Sequence, residues 1–148
     1  MPKRTPDSWR EHAERALRDA GYHRGGAREA VLGLLADQAC ALSAQEIDDR
    51  LRAGDRAVGR ASVYRVLEQL AELKLVMRVE VGDGIARYEP NRPGGEHHHH
   101  VVCDTCGQIE PFEDPDLELA IHRLSSRLRF DVGEHDVVLR GECRACRS

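Results

Sequence analysis

The chain is organised around residues 95–107, which read Gly-Glu-His-His-His-His-Val-Val-Cys-Asp-Thr-Cys-Gly. Four consecutive histidines lead into one C-x2-C pair, and a second pair follows at Cys143 and Cys146. Imidazole and thiolate groups are the side chains that bind zinc-like metals best. An expression tag is the alternative interpretation of the histidines, but a tag lies at a terminus and this run is internal. The pattern therefore predicts a metal-binding protein.

The two cysteine pairs form a donor set for one metal ion. Four thiolates in a tetrahedron leave no open coordination position, so we expect a structural zinc ion whose binding contributes to folding. Two redox dithiols are the alternative, and they are disfavoured because neither pair lies at a thioredoxin-like βα junction. The predicted ligands are Cys103, Cys106, Cys143 and Cys146.

The histidine run is predicted to serve two half-sites. Alternate residues of a strand face opposite sides, so His97 and His99 share one face while His98 and His100 share the other. Each half-site needs ligands from elsewhere in the chain, unless the run is only a solvated polar strand. The candidates are Glu118 and His135 for the first half-site and Glu89 for the second.

The charge distribution separates the two halves of the sequence. Residues 1–88 hold 15 Lys and Arg against 14 Asp and Glu, whereas residues 89–148 hold 7 against 12. A polyanion would therefore be bound by the first half, and the second half suits cations. The longest apolar run, residues 30–36, is too short to span a membrane. Paired cysteines without a signal-peptide pattern predict a reducing, cytoplasmic location.

Residues 1–88 predict a winged helix-turn-helix domain. Helices are expected over residues 6–20, 27–37, 44–53 and 59–73, and the third begins with a capping box formed by Ser43 and Glu46. The hydrophobic period then changes from helical to two, which predicts a β-hairpin over residues 76–81 and 85–88. The fourth helix would be the recognition helix, and the hairpin would be the wing.

Basic and polar side chains near the start of the fourth helix are predicted to contact DNA. Such groups reach phosphates and base edges, although an ordinary amphipathic helix would carry the same pattern. The wing and two upstream arginines favour DNA. The predicted contacts are Arg60, Ser62, Tyr64 and Arg65, with Arg24 and Arg28 upstream.

The second half is predicted to be a small α/β domain, residues 97–148, that follows a Pro/Gly-rich hinge at residues 89–96. Its elements are strands, a helix that begins with Asp114 as N-cap and Pro115 at N1, and further strands. So small a core favours a metal ion and dimerisation as additional sources of stability. The expected strands are 98–103, 108–113, 130–134 and 137–140, and the helix runs to about residue 129.

Together these motifs resemble the ferric uptake regulator family over nearly the whole chain. They are the segment 62–67, Ser-Val-Tyr-Arg-Val-Leu, then the hinge, then His-His-His-His-x-x-Cys-x-x-Cys-Gly, then the last C-x2-C. The resemblance implies an α+β fold with a winged-helix N-terminal domain and an α/β dimerisation domain. It also implies a homodimeric, metal-dependent repressor that binds AT-rich inverted repeats in double-stranded DNA.

The resemblance also implies a role for each donor group. The cysteine set corresponds to structural Zn²⁺, and the first half-site (His97, His99, Glu118, His135) to a site inside the dimerisation domain. The second half-site (Glu89, His98, His100) corresponds to a metal sensor at the hinge, which holds Zn²⁺ or Fe²⁺. Tyr64 and Arg65 correspond to DNA-contacting positions.

Cys40 bears on the sensed metal. A buried structural role is the commonest fate of a free cysteine, but Cys40 lies in the loop where iron and peroxide sensors of the family carry a histidine. Zinc sensors of the family recruit a cysteine at the hinge, so Cys40 is a candidate fourth ligand and a zinc-responsive regulator is favoured. A peroxide-sensing iron regulator is the alternative. A zinc hydrolase is a further one, disfavoured because the sequence has no H-E-x-x-H motif.

Overall fold

The structure, a computed structural model, describes residues 6–38, 41–56, 58–92 and 97–147. The chain divides into two compact units, Met1–Gly95 and Glu96–Ser148. Within the described residues, the first unit contains α1 (Pro6–Asp19), α2 (Gly26–Ala36), β1 (Leu42–Ser43), α3 (Ala44–Ala53), α4 (Arg60–Glu72), β2 (Val76–Glu80) and β3 (Ala86–Pro90). The second contains β4 (His99–Cys103), β5 (Ile109–Phe112), α5 (Pro115–Leu128) and β6 (Val138–Gly141). This mixed order of helices and strands confirms the predicted α+β class.

Local signals set the helix ends in the first unit. The predicted capping box of α3 is confirmed: Ser43 Oγ accepts from the Glu46 N–H at 3.1 Å, and Glu46 Oε2 accepts from the Ser43 N–H at 2.8 Å. After α1, Gly21 adopts a φ of +86°, and the Tyr22 N–H donates to the Leu17 carbonyl. That left-handed conformation favours glycine and ends the helix.

The helices of the first unit pack around one apolar core. Trp9 of α1 is completely buried, and its indole Nε1–H donates to the Leu75 carbonyl at 2.9 Å, which ties α1 to the end of α4. Val63 and Leu67, on the inner face of α4, pack into the same core. The opposite face of α4, which carries Tyr64, is left exposed.

A three-stranded antiparallel sheet in the order β1-β3-β2 completes the described part of the first unit. Its β2–β3 hairpin turns through residues 81–85, where Gly82 and Gly84 have φ values of +88° and +77°. The strand β1 was not predicted, because two residues are too few to show an alternating pattern. It pairs Leu42 with Tyr88 on β3.

The sheet of the second unit has the order β5-β4-β6, with β4 antiparallel to β5 and parallel to β6. The predicted N-cap of α5 is confirmed, since Asp114 Oδ1 accepts from the Asp116 and Leu117 N–H groups at 2.9 and 3.0 Å. Within the described residues, no helix has the length and apolar character that a membrane span requires.

The predicted strand over residues 130–134 is wrong. Arg129 adopts a left-handed conformation that ends α5, and the segment from Phe130 to His135 contains no strand among the described residues. Alternation alone does not make a strand, because the segment must also pair with a neighbouring strand. In the described residues the sheet of this unit consists of β5, β4 and β6, and residues 130–134 pair with none of them.

Candidate metal centres and nucleic-acid interface

The four predicted zinc-ligating cysteines lie together in the second unit. Their sulfur atoms are all within 4.8 Å of one another, and Cys106 Sγ lies 3.8 Å from Cys143 Sγ. Tetrahedral zinc with Zn–S bonds of about 2.3 Å requires a sulfur–sulfur distance of about 3.8 Å. The donor type, number and spacing therefore fit one structural zinc ion.

Backbone geometry positions the first cysteine pair. Cys103 ends β4, and its Sγ accepts from the N–H groups of Cys106 and Cys143 at 3.5 and 3.3 Å. Gly107 allows the chain to turn back at once, since it adopts a φ of +78° and donates its N–H to the Cys103 carbonyl at 2.9 Å. Gly107 was not among the predicted site residues, although the C-x2-C-G pattern contains the signal for it.

A bound cation would favour the thiolate forms of the four cysteines. The N–H groups of Cys143 and Cys106 lower the pKa of Cys103 to about 6, because they stabilise its thiolate. The thiols of Cys143 and Cys106, which hydrogen-bond to the Cys146 thiol, raise its pKa to about 12. Four adjacent thiolates repel one another, so only a bound cation would hold all four in the ionised form.

A second cluster brings together His97, His99, Glu118 and His135. Its donor atoms also lie within 4.8 Å of one another. Glu118, in the first turn of α5, is the central group: Oε1 lies 2.5 Å from His99 Nε2, and Oε2 lies 2.7 Å from His135 Nε2. His97 Nε2 lies 3.9 Å from Glu118 Oε1. Three imidazoles and one carboxylate fit a zinc-like divalent metal ion.

Hydrogen bonding defines the charge state of this cluster. Hydrogen bonds from His99 and then from His135 hold the pKa of Glu118 below its usual value, so the carboxylate is ionised at neutral pH. The Val137 N–H donates to His99 Nδ1 at 3.2 Å, so Nε2 is the ring nitrogen that faces Glu118. His99 would therefore hold a metal ion in this cluster through Nε2.

The remaining predicted sensor residues lie in different parts of the chain. His98 and His100 form their own pair, with ring centroids 5.0 Å apart, separate from the pair formed by His97 and His99. This grouping agrees with the expected alternation along β4. Glu89 lies on β3 in the first unit. Cys40 lies outside the described residues.

The predicted DNA-contacting residues of α4 lie in its first two turns. Arg60, Tyr64 and Arg65 are exposed, and Ser62 is half-buried. Arg60 and Tyr64 are one turn apart, so they share a face of the helix. This arrangement leaves a basic and aromatic surface available to a ligand.

The two upstream arginines differ from each other. Arg24 is exposed and lies 3.9 Å from Glu29. Arg28 is only 7% exposed, and its guanidinium donates to the Tyr22 carbonyl at 3.0 Å. Most of the Arg28 side chain is therefore unavailable to a phosphate, and its contact instead supports the connection between α1 and α2.

Residues 19–140 match the model of the Ferric uptake regulator family. The ferric uptake regulation protein of Bacillus subtilis is 32% identical over 138 residues, which are 92% of this chain and 93% of that protein. A solved structure of the Helicobacter pylori ferric uptake regulator, described as having three functional metal binding sites, is 28% identical with a TM-score of 0.84 and covers 98% of this chain and 95% of its own. The Vibrio cholerae ferric uptake regulator is 30% identical with a TM-score of 0.77, over 87% of this chain and 98% of its own.

Proposed function

Because the chain belongs to the ferric uptake regulator family, we propose that it is a homodimeric repressor that binds a palindromic operator when a regulatory zinc or iron(II) ion is bound. At the family level it is a metal-responsive, DNA-binding transcriptional regulator. The matched relatives are regulators and not enzymes, so the zinc-hydrolase alternative is wrong. A regulator of DNA acts where the DNA is, which supports the expected cytoplasmic location.

Metal control is supported by the fact that one strand, β4, supplies metal-binding side chains to two different donor clusters. His99 begins β4 and belongs to the His/Glu cluster, whereas Cys103 ends β4 and belongs to the cysteine set. We assign structural zinc to the cysteine set, because four thiolates leave no exchangeable position. The His/Glu cluster, with imidazole and carboxylate ligands, suits zinc or iron(II).

The proposed sensor uses the other face of the histidine run. His98 and His100 supply two imidazoles, and we propose that Glu89 adds a carboxylate and Cys40 a thiolate. This assignment rests on ligand chemistry and on the family resemblance. A thiolate in the set favours zinc over iron(II), since zinc accepts mixed sulfur and nitrogen ligands readily. Metal that prefers one arrangement of the chain shifts the population towards it, and so alters DNA affinity.

The apolar surface of the second unit supports homodimerisation. None of the residues of α5, all of which the structure describes, is buried. The large apolar side chains left exposed in this unit are Leu119, Leu124, Leu128, Phe130, Val132 and Leu139. An apolar surface of this extent on a small unit is typical of an interface, and two-fold symmetry matches a palindromic operator.

An operator-binding experiment tests the proposal. The purified protein is used to select duplexes from a random pool in the presence of zinc, and binding to the selected duplex is then titrated with zinc, iron(II) and manganese. We expect binding to fall at least tenfold after chelation of the regulatory metal, which is the coupling that an allosteric repressor requires. Equal binding before and after chelation would refute metal control.

A variant separates DNA recognition from metal binding. Tyr64→Ala is expected to weaken operator binding while the metal content stays unchanged, because Tyr64 is exposed on α4 and belongs to none of the donor clusters. Tyr22→Ala serves as the control for loss of a tyrosine side chain, since Tyr22 lies before α2 and its hydroxyl donates to Glu72 at the end of α4, away from the first turns of that helix. Loss of metal in Tyr64→Ala would contradict the division of roles.

A further inference from the structure

A buried carboxylate lies beneath two arginines between α3 and α4. Asp48 of α3 is only 1% exposed, and its Oδ2 lies 3.1 Å from Arg52 Nε and 3.5 Å from Arg60 Nε. The two arginine side chains are 55% and 58% exposed. We call these three residues the Asp48 cluster. It carries a net charge of plus one, because one carboxylate faces two guanidinium groups.

Stability alone is a poor explanation of the Asp48 cluster. Burying a carboxylate costs several kcal/mol, on the order of what its ion pairs return, and an apolar residue of similar volume is often as good. Moreover, Oδ1 of Asp48 is buried and has no hydrogen-bond partner among the residues that the structure describes. Buried, unpaired polar atoms are costly and therefore concentrate where function requires them.

The contacts to Asp48 orient both guanidinium groups. Each arginine approaches the carboxylate through its Nε atom. A guanidinium is planar and rigid, so a contact at Nε fixes the plane of the group and leaves donors at its terminal Nη end for another acceptor. Those terminal atoms are the donors that bind phosphate oxygens in a fork.

The position of the Asp48 cluster suits a phosphate of duplex DNA. Arg52 lies in the last turn of α3, and Arg60 is the first residue of α4, so the cluster spans the turn between the two helices. In helix-turn-helix proteins the first of these helices crosses the DNA backbone, while the start of the second approaches base edges. Arg60 also shares a helix face with Tyr64, one turn further on.

We propose that Asp48 is a positioning residue that holds Arg52 and Arg60 as a clamp for one DNA phosphate at the α3–α4 turn. The inference rests on the proposed DNA binding, and it assigns Arg52 and Asp48 roles that the sequence pattern did not indicate. Asp48 does not touch DNA. It orients the two side chains that do.

The direction in which Asp48→Asn changes DNA affinity distinguishes a positioning role from simple electrostatic attraction. Asp48→Asn adds one positive charge to the protein, so attraction to the polyanion alone predicts tighter binding. Loss of positioning predicts weaker binding in spite of the added charge. Asp49→Asn is the matched control: Asp49 is the next residue of α3, is exposed, and pairs with Gln45.

The experiment uses the zinc-loaded protein and a mixed-sequence duplex of about three helical turns, since a phosphate contact carries no sequence information. Binding is measured by fluorescence anisotropy over a range of salt concentrations. We expect Asp48→Asn to bind about tenfold more weakly than wild type, the loss for one charged hydrogen-bonding contact. Its salt slope should fall by about 0.9, the value for one phosphate. Asp49→Asn should bind as well as wild type or slightly better.

A second pair of variants tests the clamp if Asp48→Asn does not fold. If the Trp9 emission of Asp48→Asn shows an unfolded first unit, Arg52→Lys and Arg60→Lys replace it. Both keep the charge but lose the planar fork, so weaker binding by each, with a salt slope close to that of wild type, supports the clamp. Binding of Asp48→Asn that equals or exceeds that of Asp49→Asn, or wild-type affinity in both lysine variants, overturns it. Failure of the wild-type protein to bind any duplex would instead overturn the proposed function.

Discussion

Removal of the zinc ion that we assign to the cysteine set is expected to unfold Glu96–Ser148 while Met1–Gly95 stays folded. The reason is the very small core of the second unit. Its buried residues, among those the structure describes, are His99, His100, Val102 and Cys103. So few buried side chains offset little of the conformational entropy lost when the unit folds. The binding energy of a structural zinc ion is folding energy, so we expect the unit to depend on it.

The first unit does not depend on that metal. Its core contains completely buried side chains from α1, α2 and α3, including Trp9, Leu32 and Ile47. None of the clusters of the second unit shares a residue with this core. Its stability is therefore expected not to depend on the metal of the second unit.

Two probes follow the units separately. Trp9 is the single tryptophan of the sequence, so its fluorescence reports on the first unit. Amide hydrogen exchange along β4 reports on the second. We make the same prediction for protein treated with a strong zinc chelator and for Cys146→Ser. The β4 amides should lose their protection from hydrogen exchange, while the urea concentration at the midpoint of the Trp9 fluorescence change should stay the same. The control, Arg144→Ser, changes an exposed residue between two ligands and should keep both the zinc and the protection.

Two results would refute this reasoning. Protection of the β4 amides in zinc-free protein would mean that the second unit folds without the metal. If loss of zinc also lowered the urea midpoint of the Trp9 fluorescence change, the two units would unfold as one.

Three further predictions follow from single side chains. Leu128→Asp places a charge on the apolar surface of the second unit and should convert dimers to monomers in analytical ultracentrifugation, and an unchanged mass would remove that surface from the interface. Glu118→Gln removes the central ligand of the His/Glu cluster, so mass spectrometry should show the loss of one metal ion per chain while the zinc assigned to the cysteine set stays. The control is Glu134→Gln, which changes an exposed neighbour of His135 and should lose no metal. Trp9→Phe loses the hydrogen bond to the Leu75 carbonyl and leaves a small cavity, so urea unfolding should show a loss of about 2 kcal/mol. A loss below about 0.5 kcal/mol would mean that this bond does not hold α1 in place.

Local patterns in the sequence predicted much of the fold and the donor chemistry. The capping box at Ser43, the N-cap at Asp114 and the wing hairpin depend on residues within a few positions of one another. Alternation along β4 likewise separated His97 and His99 from His98 and His100. Such features are readable because a period of two or a cap is a property of neighbouring residues.

Features that depend on distant pairing were missed. The strand predicted over residues 130–134 has the right local pattern, but the segment pairs with none of the strands β5, β4 and β6 of the described sheet. The strand β1 exists only because β3 supplies it with a partner.

The histidine run and the cysteine pairs were sufficient to predict a metal protein, because ligand chemistry and spacing are written along the chain. The predicted grouping of Glu118 and His135 with His99 agrees with the structure, which adds that each carboxylate oxygen of Glu118 contacts one of the two histidines. Tertiary structure alone decided that Asp48 lies beneath Arg52 and Arg60. In the sequence Asp48 is one polar residue among several on α3. Its burial depends on how α3 packs against α4, and contacts between separate elements are not encoded in the spacing of either one.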